Sequence, residues 1–172
     1  MQNGNLAFTG GTIIDGYIDH DVIQNGTILV RSAADGEKAY GTIEYVGPSE
    51  DIDIPPDYRV VILQGRFVMP GLINCHAHLP FDGAPKQPMS GKKAEKLIRK
   101  LKRSTLFQKV YAGKLKKNMV NALNAGITTV RGMAEPLYAE VALRKEQEKG
   151  LCAAPRIITA GPGICPTGGH AN

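Results

Sequence analysis

The first part of the chain alternates between short apolar, β-branched runs and turn residues. The runs cover residues 6–8, 12–14, 27–30, 42–46 and 60–63. Pairs such as Gly10-Gly11 and Asn25-Gly26 separate them, and these residue types favour tight turns. No helical period is sustained in this region. The pattern therefore predicts a small antiparallel, all-β module over residues 1–65.

Beyond residue 65 the pattern changes to alternating strands and helices. An apolar run at 72–78 with little alternation predicts a strand buried on both faces. Apolar residues at helical spacing follow over 92–125, with a break predicted at Ala112-Gly113. The remaining predicted elements are a strand at 127–130, a helix at 136–149 and a strand at 156–160. This order predicts an α/β fold, in which crossover helices connect parallel strands.

Length and composition limit the architectures that the chain could adopt. A complete eight-stranded (β/α) barrel needs about 250 residues and rarely fewer than roughly 200, whereas this chain has 172. The hydrophobic fraction of 42% and the charged fraction of 22% exclude collagen, a disulfide scaffold and bulk disorder. The three cysteines form no C-x-x-C pair, and no apolar run is long enough to span a membrane. We therefore expect a cytoplasmic protein without a membrane partner.

The positive charge is concentrated in one segment. Residues 86–118 contain twelve Lys or Arg residues and one acidic residue, whereas the whole chain has a formal charge of +5. Such clustering can indicate nucleic-acid binding. The segment contains only Phe107 and Tyr111 as aromatic residues and has no recognised binding motif. A solvated outer helix face, or a lid over an acidic substrate, is the preferred interpretation, and a nucleic-acid-binding protein acting through this basic helix is the remote alternative.

His76 and His78 form an H-x-H pair at the end of the predicted strand 72–78. Side chains at positions i and i+2 leave a strand on the same face, with alpha carbons about 6.6 Å apart. Each imidazole can then give one ring nitrogen to a shared metal ion. The ends of strands in parallel sheets are where such folds bind ligands, although two histidines could also meet there by chance. Cys75, between them, is predicted to point away as a buried structural thiol.

Two further residues are candidates for substrate binding. His170 lies in a loop after the third predicted strand, next to Gly168-Gly169, which lets backbone approach a ligand closely. The alternative for His170 is a loop histidine in solvent. Arg131, at the end of the strand 127–130, could bind a substrate carboxylate or pair with a neighbouring acidic residue. Both interpretations of Arg131 remain open.

The run P-G-L-I-N-C-H-A-H-L over residues 70–79 resembles the first barrel strand of the amidohydrolase superfamily. The run A-G-I-T-T-V-R over 125–131 is similar to the second strand, although Gly132 follows where relatives often have an acidic residue. The run T-G-G-H-A over 167–171 is similar to the loop after the third strand in the prolidase and imidazolonepropionase-like branch. The resemblance implies a partial TIM (β/α)8 barrel, its first three β/α units, over 66–172. It also implies that residues 1–65 are the N-terminal portion of a composite β-sandwich.

The same resemblance implies a metal-dependent hydrolase that cleaves amide, peptide or cyclic amide carbon–nitrogen bonds with a metal-activated water. His76 and His78 would bind one or two divalent ions, with zinc the first expectation. His170 and Arg131 would contact a small amide, dipeptide or cyclic amide substrate. The remaining ligands and the general-base aspartate are expected beyond Asn172. The alternative is a catalytically incomplete fragment or one part of a split enzyme. The expected protein partners are a second copy in a homo-oligomer or a complementing C-terminal part of the barrel.

Overall fold

The computed structural model describes residues 4–33, 41–81, 104–133, 138–164 and 166. The chain divides into two compact units, Met1–Pro70 and Gly71–Asn172. Several predicted features lie outside the described residues. They are His170, the T-G-G-H-A run, the first part of the basic segment (residues 86–103) and the start of the predicted helix 136–149.

The first unit contains one five-stranded sheet. Its strands are β1 (Asn5–Ile13), β2 (Ile23–Arg31), β3 (Thr42–Pro48), β4 (Tyr58–Ile62) and β5 (Phe67–Val68). Their order is β3-β2-β1-β4, and β5 pairs with the remaining length of β1. The pairs β1–β2 and β2–β3 are antiparallel, but β4 and β5 run parallel to β1. The prediction of a purely antiparallel sheet is therefore wrong, because the chain crosses the sheet between β3 and β4 instead of turning back in a hairpin.

The crossing segment also builds the core of this unit. After β3 the chain forms a short 3-10 helix, Ser49–Asp51, and then Ile52 and Ile54 pack against buried side chains of the sheet. Those side chains are Ala7, Leu29 and Tyr58. The described residues of this unit form one sheet, so the second layer of a sandwich stays a prediction. The unit extends past residue 65 because β5 pairs with β1.

The second unit alternates strands with helices. Its elements are β6 (Leu72–Ala77), α1 (Thr105–Asn124), β7 (Ile127–Gly132), α2 (Ala139–Glu148) and β8 (Arg156–Thr159). The strands lie in the order β6-β7-β8, and both pairs are parallel. This confirms the predicted strand-helix-strand-helix-strand order with a parallel sheet. The described helices contribute to one buried cluster with the sheet: Leu79, Leu115, Met119, Val130, Leu143 and Ile157.

Two expectations for this unit are wrong. Helix α1 continues through Ala112 and Gly113 without a break. A single helical glycine costs only about 1 kcal/mol relative to alanine, and the burial of Leu115 and Met119 outweighs that cost. Strand β6 is not buried on both faces, since Leu72 and Ile73 are 51% and 65% exposed. Neither residue packs against the buried cluster of this unit.

No described helix combines the length and the apolar composition needed to cross a membrane. The cytoplasmic location and the lack of a membrane partner stay predictions. Of the basic segment, residues 104–118 are described, and they lie in α1 and its N-terminal cap.

Candidate metal centre

The carboxyl ends of the three parallel strands meet at one edge of the sheet. Ala77 is in register with Gly132, and Gly132 with Thr159. His76 on β6, His78 directly after β6, and Arg131 on β7 therefore lie at the same edge. Open α/β sheets bind their ligands beyond this edge. The fold thus brings three of the four predicted site residues together, and the fourth, His170, lies outside the described residues.

The distance between the His76 and His78 rings is suitable for binding one metal ion between them. Their ring centroids are 5.5 Å apart, with an angle of 74° between the ring planes. Two imidazoles on one tetrahedral zinc, each bound through a nitrogen about 2.1 Å away, have centroids roughly 5 to 5.5 Å apart. Both side chains are exposed, so an ion can reach them from solvent. The spacing therefore fits one divalent ion between the rings.

A backbone hydrogen bond fixes the proton on the His78 ring. Nδ1 of His78 donates to the carbonyl oxygen of Met133 over 2.8 Å. Because a carbonyl can only accept, the proton of the neutral ring is on Nδ1 and the lone pair is on Nε2. Metal-binding histidines commonly donate their second ring nitrogen to a carbonyl or carboxylate in this way. Nε2 is thus the nitrogen whose lone pair the neutral ring of His78 can offer to a ligand.

The backbone between Asn74 and His76 is braced from both sides. The side-chain Oδ1 of Asn74 accepts from the backbone N–H of His76 over 3.1 Å, and Nε of Arg131 donates to the carbonyl of Cys75 over 2.7 Å. The side chain of Cys75 is exposed, so the prediction of a buried thiol is wrong. Successive side chains of β6 do point to opposite faces of the sheet. The face that carries Cys75 is exposed too, however, and β6 lies at the edge of the described sheet.

The turn after His78 is held by helix α1. The side-chain amide of Asn118 donates to the carbonyls of Leu79 and Phe81, over 2.9 and 3.2 Å. The backbone N–H of Phe81 donates to the carbonyl of His78 over 3.0 Å, which closes the turn. Sequence reasoning missed Asn118. The sequence does contain a signal for it, because Asn118 is a polar residue three positions after Leu115 and therefore lies on the face of the helix that packs inward.

A buried carboxylate supports the end of β8. Glu140 on α2 is 0% exposed, and its Oε1 accepts from the hydroxyl of Thr159 over 2.8 Å. The Thr159 oxygen in turn accepts from the N–H of Gly161 over 3.0 Å. Sequence reasoning missed this residue also, because an acidic residue in the first turn of a helix is more often exposed. These bonds fix the direction in which the chain leaves β8.

The described residues do not complete a metal site. Within the parts of the chain given above, no group of three or more His, Cys, Asp or Glu side chains could hold an ion together. A catalytic zinc ion normally has three protein ligands and one open position. Among the described residues, the two imidazoles therefore fit two of the three protein positions of such a site.

The profile of the amidohydrolase family matches residues 67–167, which is more than half of the chain. The chain belongs to the amidohydrolase family. The matched region starts at β5 and contains β6 to β8, both histidines of the pair and Arg131.

Individual relatives of this amidohydrolase are similar over shorter stretches. The imidazolonepropionase of Pseudomonas entomophila is 49% identical over 64 residues, 37% of this chain and 14% of that protein. The 5-methylthioadenosine/S-adenosylhomocysteine deaminase of Symbiobacterium thermophilum is 34% identical over 73 residues, 42% of this chain and 15% of that protein.

Among solved structures, a candidate prolidase from Bifidobacterium longum is 29% identical and superposes with a TM-score of 0.67. The superposition covers 98% of this chain and 33% of that protein. The likeness therefore includes nearly all of this chain, but the chain spans a third or less of the length of each of these three proteins.

Proposed function

We propose that this amidohydrolase is a metal-dependent hydrolase that acts on carbon–nitrogen bonds of small amide, dipeptide or cyclic amide substrates. The observation that carries the proposal is the pair His76 and His78, with ring centroids 5.5 Å apart at the carboxyl edge of the sheet. The hydrogen bond of His78 to the Met133 carbonyl supports it, because it leaves Nε2 as the metal-binding nitrogen. The names of the relatives, among them an imidazolonepropionase, support the class of bond.

In this proposal His76 and His78 hold the ion, with zinc as the first candidate and one or two ions in the site. When bound, the ion supplies Lewis acidity towards a carbonyl oxygen and activates water as the nucleophile. The protein's own contribution is to keep the two imidazoles at a fixed separation. Asn74 does so through the backbone of His76, and Met133 does so through the ring of His78.

Arg131 is proposed to bind a substrate carboxylate. Its Nε donates to the carbonyl of Cys75, the residue before His76, and this bond restricts the orientation of the guanidinium group. Its terminal nitrogens have no hydrogen bond to another described residue, and a guanidinium in a fixed plane can bind a carboxylate through two parallel bonds. His170 is proposed as a second substrate contact on the basis of the sequence alone.

The test uses the purified full chain, stripped of metal with a chelator and reloaded with zinc. We expect turnover of at least one compound in a panel of N-acyl amino acids, dipeptides and cyclic amides. This turnover should disappear on metal removal and in the variant His76→Ala. The matched control is His20→Ala, since His20 lies in the first unit and pairs with Asp15 over 2.6 Å. Hydrolysis that survives complete metal removal would contradict the proposal.

A second candidate is a catalytically incomplete part of a longer or split enzyme. It is favoured by the absence of a third metal-binding side chain near the pair within the described residues. Zinc binding that depends on His76 and His78, without turnover of any compound in the panel, would favour this candidate. Turnover by the isolated chain would exclude it.

A further inference from the structure

The turn that follows His78 depends on one helix side chain for two of its backbone hydrogen bonds. The amide nitrogen of Asn118 lies 2.9 Å from the carbonyl oxygen of Leu79 and 3.2 Å from that of Phe81. A primary amide has two N–H groups, so Asn118 can donate one proton to each carbonyl. Its donors are then fully used by the turn.

The turn is packed as well as hydrogen-bonded. Leu79 is 1% exposed and belongs to the same buried cluster as Leu115 and Met119 of α1. On its other side Leu79 lies against Gly132 at the end of β7, where an added Cβ would come within 3.1 Å of it. A carbonyl in such surroundings loses its water and needs a protein donor. Asn118 supplies such a donor.

His78 lies beyond the last residue of β6, so the strand ladder does not determine its position. Its carbonyl accepts from the N–H of Phe81 over 3.0 Å, and its ring donates to the Met133 carbonyl over 2.8 Å. Met133 is itself tied to β6, since its N–H donates to the Ala77 carbonyl over 2.9 Å. The ring of His78 is therefore held between the Met133 carbonyl and a turn that α1 holds in place.

We propose that Asn118 is a positioning residue for His78. By fixing the carbonyls on both sides of Pro80, it keeps the imidazole against the Met133 carbonyl, with the proton on Nδ1 and Nε2 facing the ion. Asn118 acts through the turn and does not touch the metal. The inference rests on the metal-binding role proposed above for His78, but its first measurement needs no metal.

The first measurement compares Asn118→Asp with Asn121→Asp in the full chain. An aspartate has the size of asparagine, but its carboxylate only accepts, so the bonds from residue 118 to the Leu79 and Phe81 carbonyls are lost. Asn121 is a matched control, because it lies on the same helix one turn later with an exposed side chain. Long-range proton–nitrogen NMR spectra of the metal-free protein, at a pH where the rings are neutral, show which nitrogen of each histidine ring carries the proton.

We expect His78 to have its proton on Nδ1 in the unsubstituted chain and in Asn121→Asp. In Asn118→Asp we expect a mixture of Nδ1-H and Nε2-H forms. Asn118→Ala, which removes the amide without adding a charge, serves as a second variant, and circular dichroism checks that each variant is folded. A pure Nδ1-H ring in a folded Asn118 variant would overturn the inference.

The second measurement is the affinity for zinc by titration calorimetry. Loss of an outer-shell partner typically lowers metal affinity about 10- to 100-fold, and we expect a fall in this range for Asn118→Asp and none for Asn121→Asp. An unchanged affinity in the Asn118 variants, in a protein whose unsubstituted form binds zinc, would also overturn the inference. If the unsubstituted chain binds no zinc, the proposed function fails, and the histidine spectra still decide the role of Asn118.

Discussion

The ring of His78 shows which parts of a site can be predicted from sequence. The H-x-H spacing is local, so the pair could be found from the chain alone. The acceptor of its Nδ1 proton, the carbonyl of Met133, could not be found, because every residue has a carbonyl and its direction depends on the pairing of β6 with β7. The role of Asn118 could not be predicted for a similar reason, because its partners are two backbone carbonyls nearly forty positions earlier in the chain.

Arg131 gives a prediction that separates substrate binding from bracing of the backbone. In Arg131→Lys the charge is kept, but the fork that could hold a carboxylate is lost. We expect the zinc-loaded chain to bind an N-acyl amino acid about 10-fold more weakly in this variant, while the uncharged amide of the same compound is unaffected. Titration calorimetry measures both affinities.

The control for this prediction is Arg156→Lys. Arg156 is the first residue of β8, so it lies at the amino-terminal end of the parallel strands, opposite the end that carries the histidine pair. Equal losses for the carboxylate and for its amide in Arg131→Lys would mean that Arg131 only braces Cys75. In that case its role as a substrate contact would be wrong.

At the scale of elements, the same residue types can make turns or irregular strands. Gly10 and Asn25 belong to pairs that were predicted as turns, but they lie inside β1 and β2. Both have positive φ, +77° and 47°, and the β1–β2 register shifts in this region. Strands often take up such residues as bulges. Local sequence cannot separate a bulge from a turn, because the partner strand decides between them.

The sheet of the first unit also contains an ionic group whose effect depends on pH. Glu44 on β3 accepts from the Arg31 guanidinium on β2 and from the Tyr58 hydroxyl on β4. The bond from Arg31, and to a smaller extent the bond from Tyr58, lower the pKa of Glu44 below its ordinary value of 4.5. The folded state therefore favours the carboxylate, and the stability that this provides is present above pH 4.5 and is lost as the pH falls towards the lower folded pKa.

We expect the urea midpoint of the first unit to fall between about pH 5 and pH 3, and to fall less steeply in Glu44→Gln. Amide NMR signals of β2 follow this unit specifically. Glu50→Gln, on the short helix Ser49–Asp51, is the control, because it removes a carboxylate from the same unit and leaves the bonds of Glu44 in place. Identical pH profiles for Glu44→Gln and the unsubstituted chain would contradict the role of this ionic group.

At the scale of the whole molecule, the order of elements could be predicted from the sequence more fully than their exposure. The alternation of strand and helix after residue 71 is local and was predicted correctly. The exposure of β6 and the parallel pairing of β4 with β1 depend on which strands become neighbours, so periodicity did not indicate them. The superposition on 33% of the Bifidobacterium protein is consistent with the partial barrel, which stays a prediction.

The β6 edge of the second unit's sheet, as far as the described residues define it, leads to a prediction about association. Leu72 and Ile73 leave an apolar surface on β6, and an apolar edge strand tends to pair with another chain. We expect the chain to self-associate in sedimentation experiments, and Ile73→Lys to shift it towards the monomer. Ile164→Lys is the matched control, because Ile164 is fully exposed and lies outside the strands. A chain that is monomeric at every concentration would contradict this prediction.

The central claim is that His76 and His78 bind one divalent ion together. X-ray absorption at the zinc edge tests it most directly, because the scattering of imidazole rings gives the number of histidines on the ion. We expect two imidazoles per zinc in the zinc-loaded chain, and loss of that signal in the double variant His76→Ala, His78→Ala, with His20→Ala unchanged. A zinc spectrum without imidazole scattering, or one that the double variant leaves unaltered, would show that His76 and His78 do not bind the ion.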